Sequence, residues 1–196
     1  WARSDIESRC GFRPGRFTGV NVVFAGIVAL LLSIGFYAAL TPFGGTWFAD
    51  MFTKRGPTQY ATVLLSWWAV VILVVKWSKL RFQKRALDTH IMPEDPGFIL
   101  SAATVDPVLT RIYHTADNPR AILLYNRIVN ALSNLRNLGQ VTEVDSLMRS
   151  HADQDEAALD TSYSLVQGFV WAIPVLGFIG TVLGLSEAIG QFSGVL

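Results

Sequence analysis

Three apolar stretches divide the chain into alternating greasy and polar blocks: Val20–Leu40, Tyr60–Trp77 and about Ser164–Ile189. Each is about 18–25 residues long, enough for a helix to cross the hydrocarbon core of a bilayer. Full charges are almost absent from them, and Glu187 lies near the end of the third. The first two are joined by the short, turn-rich and aromatic segment 41–59, so they are predicted to form a helical hairpin. From Ser78 to about Tyr163 the chain turns polar, punctuated by Pro93, Pro96, Pro107 and Pro119. Asp106-Pro107 and Asn118-Pro119 each read as an N-cap followed by proline at the first helical position. The second of these opens a predicted helix that runs to about Leu138 and stops at Gly139. Its apolar positions, Ile122, Leu123, Ile128, Leu132, Leu135 and Leu138, recur with helical period. Thr142 reads as the cap of a further helix. No proline interrupts Thr142 to Ile173, so one long helix is predicted to run from there into the third apolar stretch.

These elements give an all-α fold class: a polytopic membrane protein with a hairpin, a polar helical region, and a long helix continuing into the last span. The predicted segments are 1–19, a hairpin over 20–77 with its loop at 41–59, a helical region over 78–163, and a final span over 164–196. Three nearly uncharged runs of this length in one short chain argue against a soluble protein with three buried helices.

The third span has two unlike faces. At about 100° per residue, Gly177, Thr181, Gly184 and Ala188 fall within a narrow arc, flanked on one side by Gly180, Glu187 and Gln191. The opposite surface carries Val175, Phe178, Ile179, Val182, Leu183 and Ile189. A helix facing only lipid has no use for a nearly bare face. Small residues in a membrane helix let another backbone approach closely, and a hydroxyl or carboxyl at that depth faces a protein interior or a watery path.

Half the residues are apolar and 16% are charged, a more apolar balance than soluble domains show. The net charge of +1 gives no reason to invoke nucleic acid. The distribution of charge matters more. Arg3, Arg9, Arg13 and Arg16 precede the first span, and Lys76, Lys79, Arg81, Lys84 and Arg85 crowd the end of the second. The hairpin loop holds only Lys54 and Arg55. By the positive-inside rule, the N-terminus and 78–163 are expected in the cytoplasm and the 41–59 loop outside, with Trp47, Phe48 and Phe52 at the outer interface. The single cysteine, Cys10, can form no internal disulfide. The chain opens on Trp1 rather than Met, as a trimmed chain would, and no signal-peptide pattern is visible. His90, His114 and His151 are scattered without the spacing of a metal site, and neither a nucleophile elbow nor a phosphate-binding loop is present. No enzymatic activity and no cofactor are expected. Asp153, Asp155, Glu156 and Asp160 are expected on a solvated helix face.

The run Pro174-x-x-Gly177-x-x-Gly180-Thr181-Val182-x-Gly184, closing with Phe192, resembles the pore-helix signature of the MotA/TolQ/ExbB proton channel family. The resemblance implies an ion-conducting subunit of a proton-driven or sodium-driven motor, rotary or force-generating, in the bacterial inner membrane. It implies a homopentameric ring around a dimer of a single-span partner resembling MotB, TolR or ExbD, whose membrane Asp carries the proton. Thr181 and Pro174 become residues of the ion pathway, with Gly177, Gly180, Gly184 and Ala188 packing the pore face. The family pattern gives Glu187 no role. As a carboxyl in the span it is either an ion-pathway group or a solvated residue near the outer headgroups. MotA-like members add a fourth span, which is expected to be missing here. The alternative reading is a membrane scaffold or signalling anchor without ion flux. In that case the glycine face only packs helices, and Thr181 bonds its own helix.

Overall fold

The computed structural model describes residues 7, 10–12, 17–53, 56–87, 104–115, 119–138 and 141–193. Most of those residues are helical, and no strand occurs among them. The chain divides into two compact units, 21–74 with 163–196, and 1–20 with 75–162.

In the first of these units, α1 spans Val22–Leu40. It starts where Asn21 turns its side-chain oxygen back to accept from the Val23 and Phe24 N–H groups, at 3.0 and 3.2 Å. Ala25, Ala29 and Ser33, four residues apart, are its buried stripe. Val23, Leu31 and Ile34 are more than half exposed, which suits a helix seated in lipid. Gly26 lets the Trp68 ring come close: a Cβ there would sit 2.9 Å from the indole. A short α2, Trp47–Thr53, follows a 3₁₀ turn at Thr41–Phe43. The sequence suggested only a turn-rich loop here. Thr46 starts the helix: its carbonyl accepts from the Asp50 N–H at 3.0 Å, and its hydroxyl faces the Ala49 N–H at 3.4 Å. Phe52 then packs edge-on against Phe36, with ring centroids 5.3 Å apart, while Trp47 and Phe48 stay exposed.

Two long helices complete the span set. α3 runs Pro57–Leu87, ten residues past the predicted end of its span, and ends in a basic turn with Lys84 and Arg85. Its start at Pro57 follows Gly56, whose φ of 88° favours glycine. α6 is a single helix of 53 residues, Val141–Ser193, more than twice the ~20 residues a bilayer crossing takes. Thr142 therefore lies in its first turn rather than at its cap, and Pro174 lies inside it. Three helical stretches, Val22–Phe43, Pro57–Arg85 and Val144–Gly190, are long and apolar enough to cross a membrane.

In the other unit, α4 (Val105–Thr115) and α5 (Leu123–Leu138) build a small core. α4 begins at Val105, so Asp106 sits in its first turn and Pro107 just after it, rather than at cap and first position. Val105, Val108 and Ile112 meet Ile122, Tyr125, Val129 and Leu132, with Phe82 of α3 packed against them. The buried face of α5 thus keeps Ile122 and Leu132 of the predicted stripe, with Ile128 and Leu135 packed against it, and adds Tyr125 and Val129. Gln83 of α3 sets the start of α5: its Nε2 donates to the Ala121 carbonyl at 3.1 Å, and its Oε1 accepts from the Leu123 N–H at 3.0 Å. Arg127 of α5 holds Asp155 of α6 through both Nε and Nη2, at 3.3 and 3.2 Å. Asp153, Glu156 and Asp160 lie exposed on α6.

The lysines at the end of the second apolar run are more than topological markers. Lys79 is almost fully buried and donates to Glu7 Oε2 and to the Gly19 carbonyl, both at 2.6 Å. Lys76, equally buried, donates to Ser162 Oγ at 2.5 Å. A buried ammonium is tolerated only with such partners.

Candidate functional site

The small-residue motif of α6 opens onto a groove with a volume of about 640 Å³ in the unit formed by 21–74 and 163–196. Gly177, Gly180, Thr181, Gly184, Glu187 and Ala188 all line it, so six of the seven residues singled out in the sequence share one site. Pro174 does not line it. That residue lies in a wholly apolar hollow with Val170, Trp171, Val175 and Phe178, on the bulky side of the helix. As a proline it leaves the Val170 carbonyl without the usual helical donor. Gln191 and Phe192 lie at the end of α6, where side chains are outside the described residues.

The glycines are not equivalent. A Cβ on Gly177 or Gly184 would meet nothing within 4 Å, so these two keep the groove open. A Cβ on Gly180 would sit 2.5 Å from Thr58 Oγ1 and 3.5 Å from Thr58 Cβ. α3 of the same chain therefore packs closely against Gly180. The Thr181 hydroxyl is exposed and donates to the Phe178 carbonyl of its own helix at 2.7 Å. Its oxygen still has acceptor capacity toward the groove. Glu187 is exposed and makes no ion pair among the described residues.

The facing wall is α3, through Thr58, Gln59 and Thr62. These three were missed in the sequence, although a signal was present. Thr58, Thr62 and Ser66 recur every four residues, a row of hydroxyls on one face of an otherwise apolar helix. Each of the last two donates to the carbonyl four residues earlier, at 2.8 Å.

Among the described residues no cluster of three His, Cys, Asp or Glu side chains is placed to hold a metal ion. His114 is on α4 and His151 on α6, while His90 lies outside the described residues. Uncharged hydroxyls, an amide and one carboxylate around a glycine-lined groove suit the passage or docking of a small polar species.

Residues 116–195 match the MotA/TolQ/ExbB proton channel family. The matched stretch contains α5, α6 and every site residue drawn from the sequence. The hairpin before it lies outside the match, so its likeness to the family rests on layout alone. No curated protein and no solved structure matches the chain. A MotA/TolQ/ExbB segment together with three membrane-capable helices makes this a multi-pass membrane protein, and the match supports a proton channel role.

Proposed function

We propose that the chain is the ion-conducting subunit of a motor driven by protons or sodium ions, rotary or force-generating, in the bacterial inner membrane. It transports ions rather than catalysing a reaction, and it works without a cofactor. Five copies surround a dimer of a MotB-, TolR- or ExbD-like partner. The N-terminus and 78–163 lie in the cytoplasm, with 41–59 outside. The observation that carries this reading is the groove that gathers Thr181, Glu187 and the bare glycines on the family-matched helix.

The physics is direct. A partner carboxylate crossing the bilayer is costly wherever it is charged, so it needs polar neighbours at each station. Thr181 supplies an oxygen beside an open stretch of backbone, where a second helix can come close. Successive protonation then draws on the transmembrane potential, about 2.3 kcal/mol per charge per 100 mV. The Thr181–Phe178 bond favours the alternative, a scaffold without flux, because that bond alone satisfies the hydroxyl donor. Proton uptake into sealed vesicles separates the two. Uptake that requires both this chain and the single-span partner supports conduction. A correctly assembled complex that leaves uptake at the level of empty vesicles would sink it.

A further inference from the structure

Five cations crowd the end of the second apolar run, and α3 sorts them into two sets. Lys76 and Lys79 turn inward and are buried against partners of their own chain. Arg81, Lys84 and Arg85 turn outward and are exposed. At about 100° per residue, these three share an arc of about 140° with Leu73, Val74, Trp77 and Leu80, which are exposed as well. One face of the helix is thus apolar as far as Val74, aromatic at Trp77 and cationic beyond Leu80. α3 contains no Asp or Glu. Among the described residues Arg81, Lys84 and Arg85 make no ion pair and no hydrogen bond. Arg81 instead lies over the Trp77 indole, its guanidinium carbon 5.1 Å from the ring centroid. Topology does not ask for this arrangement. The positive-inside rule counts cations near the end of a span and is indifferent to the face they occupy. An exposed row of three cations that continues a lipid-side stripe, one of them stacked on an aromatic ring, lacks only its anion. The depth fits too. At 1.5 Å per residue, Arg81 lies about 6 Å along the axis beyond Trp77 and Lys84 about 10 Å. The polar layer on each side of the hydrocarbon is about 5–7 Å thick, so a Trp77 at the hydrocarbon edge sets Arg81 among the headgroup phosphates.

We propose that Trp77, Arg81, Lys84 and Arg85 form a binding site for an anionic phospholipid in the leaflet next to 78–163, the cytoplasmic leaflet in the topology proposed above. Arg81 donates to the lipid phosphate through two parallel N–H groups, a contact that an ammonium cannot make. Trp77 braces the guanidinium and lies beside the first carbons of the acyl chains. Lys84 and Arg85 meet the remaining negative charge of the headgroup layer. A zwitterionic lipid offers the same phosphate but brings its own ammonium, which the three cations repel, so the site prefers an anionic headgroup. The bound lipid anchors the end of α3 from which Gln83 caps α5 and Lys79 holds Glu7, so it stabilises that unit of the fold. The proposal draws on α3 as a membrane span and stands apart from ion conduction.

The test uses the full chain purified in a mild neutral detergent and mixed with phosphatidylglycerol or with phosphatidylcholine of the same acyl chains. Native mass spectrometry gives the apparent affinity for each lipid, and thermal unfolding reads the stabilisation. Arg81→Gln, Arg81→Lys, Lys84→Gln and Trp77→Leu are compared with Arg149→Gln, which removes an exposed cation elsewhere. Phosphatidylglycerol is expected to be retained in preference to phosphatidylcholine and to raise the unfolding temperature of the parent. Lys84→Gln should lower its affinity about fivefold, the weight of one basic side chain at an anionic surface. Arg81→Gln should lower it about tenfold, since charge and paired hydrogen bonds go together. Arg81→Lys should fall between that variant and the parent, Trp77→Leu should lose about threefold, and Arg149→Gln should match the parent. Equal retention of the two lipids would overturn the proposal. So would an Arg149→Gln chain weakened as much as Arg81→Gln, which would mean diffuse attraction without a site. Inorganic phosphate that stabilises the parent as well as phosphatidylglycerol does would assign the row to a soluble anion instead. If Arg81→Gln changes the oligomeric state and leaves lipid retention as it was, the face belongs to an interface between copies and the proposal fails. Should Arg81→Gln not fold, Arg81→Lys and Lys84→Gln decide the matter, and parental affinity in both would refute the site.

Discussion

Gly180→Ala isolates the contact that joins α3 to α6. The added carbon would lie 2.5 Å from Thr58 Oγ1, against the 3.4 Å at which ordinary contact begins, so about 0.9 Å must be found. Turning Thr58 about χ1 relieves the contact only in the rotamer that puts its Cβ hydrogen, rather than its methyl, in place of the hydroxyl. Otherwise the helices move apart, and overpacking of this kind costs about 1–3 kcal/mol. Against that stands a gain of about 1 kcal/mol for alanine over glycine inside a helix. The net change at 180 is about 0–2 kcal/mol of destabilisation. Gly177→Ala and Gly184→Ala meet open space and keep the gain alone, so each should stabilise the monomer by up to about 1 kcal/mol. The difference between sites, about 1–3 kcal/mol, no longer depends on propensity. Adding Thr58→Ala should recover it, and the double-mutant cycle should show coupling of about that size. Thermal unfolding in mild detergent, on protein shown to be monomeric by native mass spectrometry, reads all of these. Equal behaviour at 180 and 184, with no rescue from Thr58→Ala, would refute the intrachain contact.

Two other predictions concern the remaining structure. Glu7→Gln leaves the Lys79 ammonium buried beside an amide, and loss of one partner of such a pair costs about 3–5 kcal/mol. The unfolding temperature should fall clearly, while Glu7→Leu with Lys79→Met should recover most of the loss, and no change in the single variant would remove the pair from the account. Single-cysteine labelling of intact cells, after Cys10→Ser, should modify Thr46→Cys readily and Ser133→Cys not at all. The reverse pattern would invert the topology.

Much of this fold was legible because its signals are local. The three spans show as long apolar runs, and the unbroken stretch from Thr142 to Ile173 foretold α6 as one helix. Gly44 and Gly45 disguised α2, which rests on Thr46 and on an aromatic contact to Phe36 that a pattern of turn residues does not reveal. The extension of α3 to Leu87 was hidden by its charges. Lys76 and Lys79 look like an end of burial, yet both are buried through partners 86 and 72 residues away in the chain. The α6 wall of the groove could be read from glycine spacing. The α3 wall could not be placed, since the facing of Thr58 and Gly180 is long-range, although the fourfold spacing of Thr58, Thr62 and Ser66 marked the face. Spacing alone also could not separate Gly180, which has a neighbour in its own chain, from Gly177 and Gly184, which do not.

Thr181 carries the central claim, and ion flux through the assembled complex measures it most directly. Thr181→Val keeps the shape and removes the hydroxyl, while Thr181→Ser keeps the hydroxyl. If the oxygen stands beside the partner's carboxylate during passage, its loss is worth roughly 1.5–3 kcal/mol. That is about ten- to a hundredfold in flux where the step limits the rate. The account predicts that fall for Thr181→Val, with much of the activity kept by Thr181→Ser and assembly unchanged in both. A Thr181→Val complex that conducts like the parent would mean that the hydroxyl serves only the Phe178 carbonyl, and the ion path would lie elsewhere.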